Sequence, residues 1–146
     1  MAIDDSGQWW IGSAPTDIEP YLKAYASESY EVHAFRLARC GCGGEKFRLL
    51  ADDEEGVAQR TCIECDSSHF ICDSAEYWSE ARPEKFVCVE CKNDSCNVGV
   101  GFSLYEDKSA IKWLYVGERC AECGVLGCMA GWKVGYEPSL QLVDQV

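Results

Sequence analysis

Cys88-Val-Glu-Cys91 and Cys120-Ala-Glu-Cys123 bracket two runs, Asn97-Val-Gly-Val-Gly-Phe-Ser-Leu-Tyr105 and Ala110-Ile-Lys-Trp-Leu-Tyr-Val116. The runs are rich in β-branched and aromatic residues, and the polar stretch Glu106-Asp-Lys-Ser109 separates them, which reads as strand, turn, strand. Twenty-eight residues lie between Cys91 and Cys120, about the length of a hairpin. A hairpin returns its second end to its first, so four thiols converge at its base. Four converging thiolates are the donor set of a tetrahedral soft-metal site.

The same order occurs upstream. Cys40-Gly-Cys42 and Cys62-Ile-Glu-Cys65 stand nineteen residues apart, with Lys46-Phe-Arg-Leu-Leu-Ala51 and Val57-Ala-Gln-Arg-Thr61 as strands. Asp52-Asp-Glu-Glu-Gly56 supplies the turn. Each half therefore reads as close pair, strand, turn, strand, close pair. This pattern resembles the zinc-ribbon fold group over roughly residues 39–72 and 86–128, the first copy departing from it by its one-residue spacer. The resemblance implies two structural zinc ions per chain. One would be held by Cys40, Cys42, Cys62 and Cys65, the other by Cys88, Cys91, Cys120 and Cys123. Rubredoxin-like iron sites use the same thiolates but favour a Gly after the pair and a Pro within one knuckle. Only Cys123 is followed by Gly in a CxxC frame and no knuckle holds Pro, so zinc is expected, with a rubredoxin-like iron electron carrier as an alternative. The fold group hosts many unrelated functions, so it implies metal and shape rather than purpose.

Three of the eleven cysteines remain. Cys96 and Cys128 each lie five residues after a knuckle, which suggests pseudo-equivalent places just above the metal. A third metal site or a redox pair is the sharp reading; small apolar residues packing the knuckles is the expected one. Cys72 reads as part of a strand after the first ribbon. His69 follows Cys65 by four residues and could replace a ligand such as Cys42, while His33 has no evident partner.

Around the ribbons the sequence predicts a β-rich α+β fold. A helix is expected from Thr16 or Asp17, with Ile18, Tyr21, Leu22 and Tyr25 as its core stripe and Pro20 tolerated near its start. Tyr30–Ala34 alternates as a strand, and a phase slip across Phe35–Arg39 suggests a bulge before Cys40. Asp73-Ser-Ala-Glu76 reads as a capping box opening a short inter-ribbon helix through Tyr77, Trp78 and Ala81, stopped by Pro83. Gly131–Tyr136 is a further strand. Trp9-Trp10-Ile11 is expected to pack over the sheet edge. The three spans, 1–38, 39–82 and 83–146, are expected to form one compact unit by internal duplication of the ribbon.

Composition narrows function. The 146 residues are 47% hydrophobic and 26% charged, which excludes a disordered or collagen-like chain. No charge-free stretch is long enough to span a bilayer, so no membrane partner is expected. The start is acidic with no apolar segment, so no secretory signal is visible and a reducing, cytoplasmic location is expected. The net charge of −12 disfavours phosphate-backbone binding. Eight thiolates and two dications would take it to −16. Arg36, Arg39, Lys46, Arg48 and Arg60 could still cluster as a nucleic-acid patch. No nucleophile elbow, P-loop, dinucleotide fingerprint or zinc-protease motif is present, and four-thiolate zinc is closed, so no enzyme is expected. Glu64, Glu90 and Glu122 at the knuckle tips read as solvated. The expected role is a non-catalytic, acidic zinc protein that acts as an adaptor or regulator by binding another protein, a basic one on grounds of charge; a nucleic-acid-associated ribbon is the alternative.

Overall fold

The computed structural model describes residues 3–107, 110–134 and 139–146. Its elements are β1 (Ile3–Asp4), β2 (Ile11–Gly12), α1 (Ile18–Tyr25), β3 (Ala34–Leu37), β4 (Phe47–Asp52), β5 (Val57–Cys62), β6 (Ser68–Phe70), β7 (Glu84–Lys85), β8 (Cys96–Leu104), β9 (Ile111–Cys120) and β10 (Leu126–Lys133). Among the described residues the fold is β-rich α+β with one short α-helix, and every strand pairing is antiparallel.

Eight strands form one sheet in the order β10-β9-β8-β4-β5-β6, with β3 on β8 and β7 on β4. The meanders β4-β5-β6 and β8-β9-β10 join through a single registered pair, Phe47 opposite Cys96. So slender a join lets them fold over a shared core. Phe47, Leu49 and Ile71 from the first pack with Val98, Phe102 and Val116 from the second, all fully buried. The first hairpin's turn reaches β10: the Gly131 N–H donates to Asp53 Oδ1 at 2.9 Å. Gly56 (φ +74°) backs onto Trp132, and a Cβ there would lie 2.8 Å from the Trp132 Cβ.

The other face of β8 and β9 receives α1. Alternate positions of β8 are glycine, and Gly99 stands opposite Gly117 of β9. A Cβ on Gly117 would come within 2.9 Å of Ile18 and 3.0 Å of Leu22, so the glycines let the helix lie directly on the backbone. The buried Asp17 carboxylate fixes the approach by accepting the Ser13 and Ala14 N–H groups at 2.8 and 3.1 Å. Ahead of it, the Leu126 N–H donates to the Trp10 carbonyl and the Gly12 N–H to the Gly124 carbonyl, both at 2.8 Å. The Trp10–Gly12 segment thus runs along the chain entering β10, but of Trp9-Trp10-Ile11 only Trp10 packs inward, edge-on to Tyr21, while Trp9 and Ile11 are exposed.

Several local expectations are corrected. Tyr25 is exposed rather than core, whereas Ile18 and Leu22 are fully buried and Tyr21 packs partly buried beside them. The strand expected at Tyr30–Ala34 is β3, Ala34–Leu37; it pairs with β8 in continuous register and carries no bulge. The inter-ribbon α-helix is replaced by two 3-10 turns, Ser74–Glu76 and Trp78–Glu80. Its would-be cap is otherwise engaged: Asp73 Oδ1 accepts from Trp132 Nε1 at 3.2 Å, while Ser74 Oγ accepts from the Ala58 N–H at 2.8 Å. The capping side chains are thereby spent on tertiary bonds. Cys72 lies beyond β6 in a left-handed turn (φ +56°), not in a strand. The strand expected over Gly131–Tyr136 begins earlier, at Leu126, and its last two residues fall outside the described set, as do Lys108 and Ser109 of the second turn.

Candidate metal centres

Each hairpin ends in two knuckles, and the four knuckles share one construction. The N–H of the first cysteine donates forward at 2.9 Å in all four: Cys40 to Gly44, Cys62 to Ser67, Cys88 to Asn93 and Cys120 to Val125. The residue after the second cysteine turns left-handed in all four: Gly43 at φ +93°, Asp66 at +62°, Lys92 at +66° and Gly124 at +82°. Its N–H closes back onto the carbonyl of the first cysteine at 2.8–3.0 Å. A left-handed conformation costs a non-glycine residue about 1–2 kcal/mol, so Asp66 and Lys92 hold it against local preference. Cys40-Gly-Cys42 reaches the same shape one residue sooner. Gly44 makes that possible, since a Cβ there would lie 2.8 Å from Cys62 Sγ.

The knuckles bring together the two sets read from the sequence. Cys40, Cys42, Cys62 and Cys65 form one group and Cys88, Cys91, Cys120 and Cys123 the other, with all four Sγ atoms within 4.8 Å of one another in each. The closest Sγ pairs are Cys40–Cys65 at 3.4 Å, Cys42–Cys62 at 3.6 Å, Cys88–Cys123 at 3.5 Å and Cys91–Cys120 at 3.5 Å. A disulfide needs about 2.05 Å, whereas a tetrahedron with metal–sulfur bonds of about 2.3 Å has edges of about 3.8 Å. The donor set and its spacing fit a single four-coordinate soft metal. Each set also contains one thiol disposed to ionise. Hydrogen bonds from the Ser67 side chain and backbone lower Cys65 to about 6. Burial opposes ionisation of Cys120, yet the N–H groups of Cys123 and Glu122 and the Asn93 amide bring it to about 6.

The remaining cysteines join neither group. Cys96 is fully buried opposite Cys120 on the core face of β8, whereas Cys128 stands opposite Gly117 on the face toward α1. They sit on opposite sides of the sheet, so they form neither a third metal site nor a redox pair, and among the described residues there are two such clusters. The five-residue spacing explains both: the corresponding positions of the first half are Phe47 and Phe70, so the thiols take apolar places. Cys72 donates to the Leu142 carbonyl at 3.3 Å. His69 Nε2 meets the Gln145 carbonyl at 2.9 Å, and His33 Nδ1 accepts the Leu104 N–H at 2.9 Å, so neither is a ligand here.

Of the five basic residues read as a patch, four are individually engaged. Arg60 is 6% exposed, lies 4.7 Å over the Phe47 ring and donates to Val146 O through Nε and Nη2 at 3.1 and 2.8 Å. Arg39 pairs with Glu45 at 3.3 Å, Arg48 with Asp66 at 2.9 Å and Arg36 with Asp144 at 3.7 Å. Sequence reading missed the burial of Arg60 because alternation in a strand does not say which face a neighbouring segment covers. It also missed Glu118. This residue is 8% exposed, its Oε2 has no hydrogen-bond partner, and burial raises its carboxyl to about 8, with the Met129 amide partly offsetting.

No family model, curated protein or solved structure matches the chain. No helix among the described residues is long and apolar enough to cross a membrane.

Proposed function

We propose that this chain is a non-catalytic zinc protein with two structural four-cysteine ribbons, serving as an acidic module that binds another protein. The observation that carries the reading is the pair of four-thiol clusters, each at the base of a hairpin and each built from two knuckles of common construction. The order knuckle, strand, strand, knuckle, strand runs twice, as a duplicated ribbon would. Eight thiolate donors leave no ligand position for a reacting water, which favours structure over catalysis. The charge of −12 and the separate pairing of Arg36, Arg39 and Arg48 favour a basic protein over a nucleic acid. Cytoplasmic residence accords with eleven reduced thiols.

Structural zinc contributes on the order of 10–16 kcal/mol in finger peptides, against a whole-domain stability of about 5–15 kcal/mol. Metal removal therefore unfolds the protein in this reading. Circular dichroism with a strong chelator tests it: the melt should collapse to low temperature and recover when zinc is returned. An unchanged melt after both metals are removed would rule out a structural role.

A further inference from the structure

A cleft of about 350 Å³ opens where β10 faces the N-terminal segment, lined by Trp9, Tyr21, Tyr25, Val87, Val89 and the Glu118 side chain among others. Its walls are mostly aromatic or aliphatic, and four of these residues are exposed large hydrophobics: Tyr25 at 56%, Val89 at 53%, Val87 at 47% and Trp9 at 38%. Glu118 stands directly opposite Gly127 in the β9–β10 register. A side chain at Gly127 would occupy the place of the Glu118 carboxylate, so the glycine makes room for it. That carboxylate belongs to a residue more than nine-tenths buried, and its Oε2 has no donor. The lining cation, Lys85, is already paired with Asp94 at 2.7 Å. The cleft thus offers apolar walls, aromatic rings and one unmet acceptor.

Two further clefts adjoin it. Tyr25, Cys128 and Met129 also line a second cavity of about 350 Å³ with Asp53, Trp113 and Tyr115. Met129 borders a third, of about 520 Å³, whose wall carries the six acids Asp52, Asp53, Glu54, Glu55, Glu80 and Glu84 against one cation, Arg82. The β10 register shifts between Cys128 and Ala130, so Met129 sits at an irregularity where all three clefts meet. An aromatic, carboxylate-bearing cleft beside an acidic basin suits a chain carrying several cations. Lysine and arginine stems pack on aromatic and aliphatic walls, while their heads meet ring faces and carboxylates.

We propose that the Glu118 cleft is a binding site for a lysine or arginine side chain of a basic polypeptide, whose neighbouring cations lie over the acidic basin. This proposal rests on the protein-binding reading above and assigns that function a surface. Long-range attraction from the net charge brings the partner in, and the cleft supplies the specific contact.

The test is fluorescence anisotropy on the metal-loaded full chain. The probes are a fluorescein-labelled peptide of alternating glycine with lysine and arginine, and a matched peptide with glutamine at every cationic position. The basic peptide should bind, more weakly as salt rises, and the glutamine peptide should bind at least tenfold more weakly. Glu118→Gln keeps the shape of the side chain but cannot release a proton to meet the cation as a negative charge, and should cost tenfold or more in affinity with metal content unchanged. Tyr25→Ala, at an exposed position, should weaken binding severalfold without moving the melt. Unaltered affinity in both variants overturns the cleft assignment. If joint neutralisation of Asp52, Asp53, Glu54 and Glu55 then abolishes binding, the protein-binding reading survives without the cleft. Equal affinity for both peptides, or no binding of the basic peptide, overturns both.

Discussion

The two metal centres have the same four thiols and rest on different foundations. The first closes strands of six residues, β4 and β5, and its Cys42 and Cys65 are exposed, against Cys91 in the second. The second closes strands of nine and ten residues, β8 and β9, and is braced from outside. Arg119 donates to the Gly12 carbonyl and to Asn97 Oδ1 at 2.8 and 2.9 Å, and the Asn93 amide reaches Cys120 Sγ at 3.6 Å. β9 and β5 each pair on both sides and lie one strand from an end of the sheet; β9 differs in offering Gly117 as a seat for α1. One ligand chemistry is thus used twice around a shared core, once on a short hairpin and once on the long hairpin that seats α1.

Removing a ligand from each site should separate these roles. Cys120→Ser should release the second metal and unfold the chain, because β8, β9 and the helix seat depend on it. Cys62→Ser should lose the first metal while β8, β9 and β10 keep much of their protection in hydrogen exchange. Equal, complete unfolding by both would show that the two halves have no independent stability.

A smaller effect is expected from Gly44→Ala. The added Cβ would sit 2.8 Å from Cys62 Sγ and 3.4 Å from Cys42 Sγ. Metal affinity at the first site should fall by tenfold or more while the second is untouched, read by competition with a chromogenic chelator. Unchanged affinity at the first site would mean that the short knuckle has slack that its geometry does not suggest.

Gly117→Ala probes the other foundation without touching a ligand. The methyl would press on Ile18 and Leu22 at 2.9–3.0 Å. Overpacking of this kind costs about 1–3 kcal/mol, visible as a lower melting temperature with both metals retained. A melt at the wild-type temperature would remove the glycine seat from the account.

The smallest effect concerns alkali. Burial raises Cys128 and Tyr21 to about 12 each, above ordinary values of 9.0 and 10.0. Both groups are held neutral in the folded chain and ionise more readily when it unfolds. Their contribution is complete below the unfolded values and is lost as pH rises from about 9 toward 12. Cys128→Ala should therefore flatten part of the fall in melting temperature over that range, and an identical slope would contradict it.

The hairpins and knuckles were legible because their signals are local: paired cysteines, alternating apolar residues and a glycine-ended acidic turn. β4, β5, β8 and β9 fall within a few residues of where the sequence puts them. What stayed hidden depends on contacts distant along the chain. β3 joins β8 rather than the nearer hairpin, with the Phe35 ring set over Gly99. The Asp73 capping box fails because Trp132, fifty-nine residues away, takes its carboxylate. Arg60 and Glu118 sit in strands of ordinary alternation, and only the fold shows that Val146 covers one and that Gly127 makes room for the other. For the metal site, spacing named all eight thiols that the fold brings together, but it gave Cys96 and Cys128 a shared place that the sheet divides between its faces.

Metal stoichiometry tests the central claim most directly. Elemental analysis of the purified full chain, expressed without added metal and calibrated by amino-acid analysis, should return two zinc ions per chain and no iron. One zinc per chain, or iron in its place, would contradict the assignment of two structural zinc ribbons.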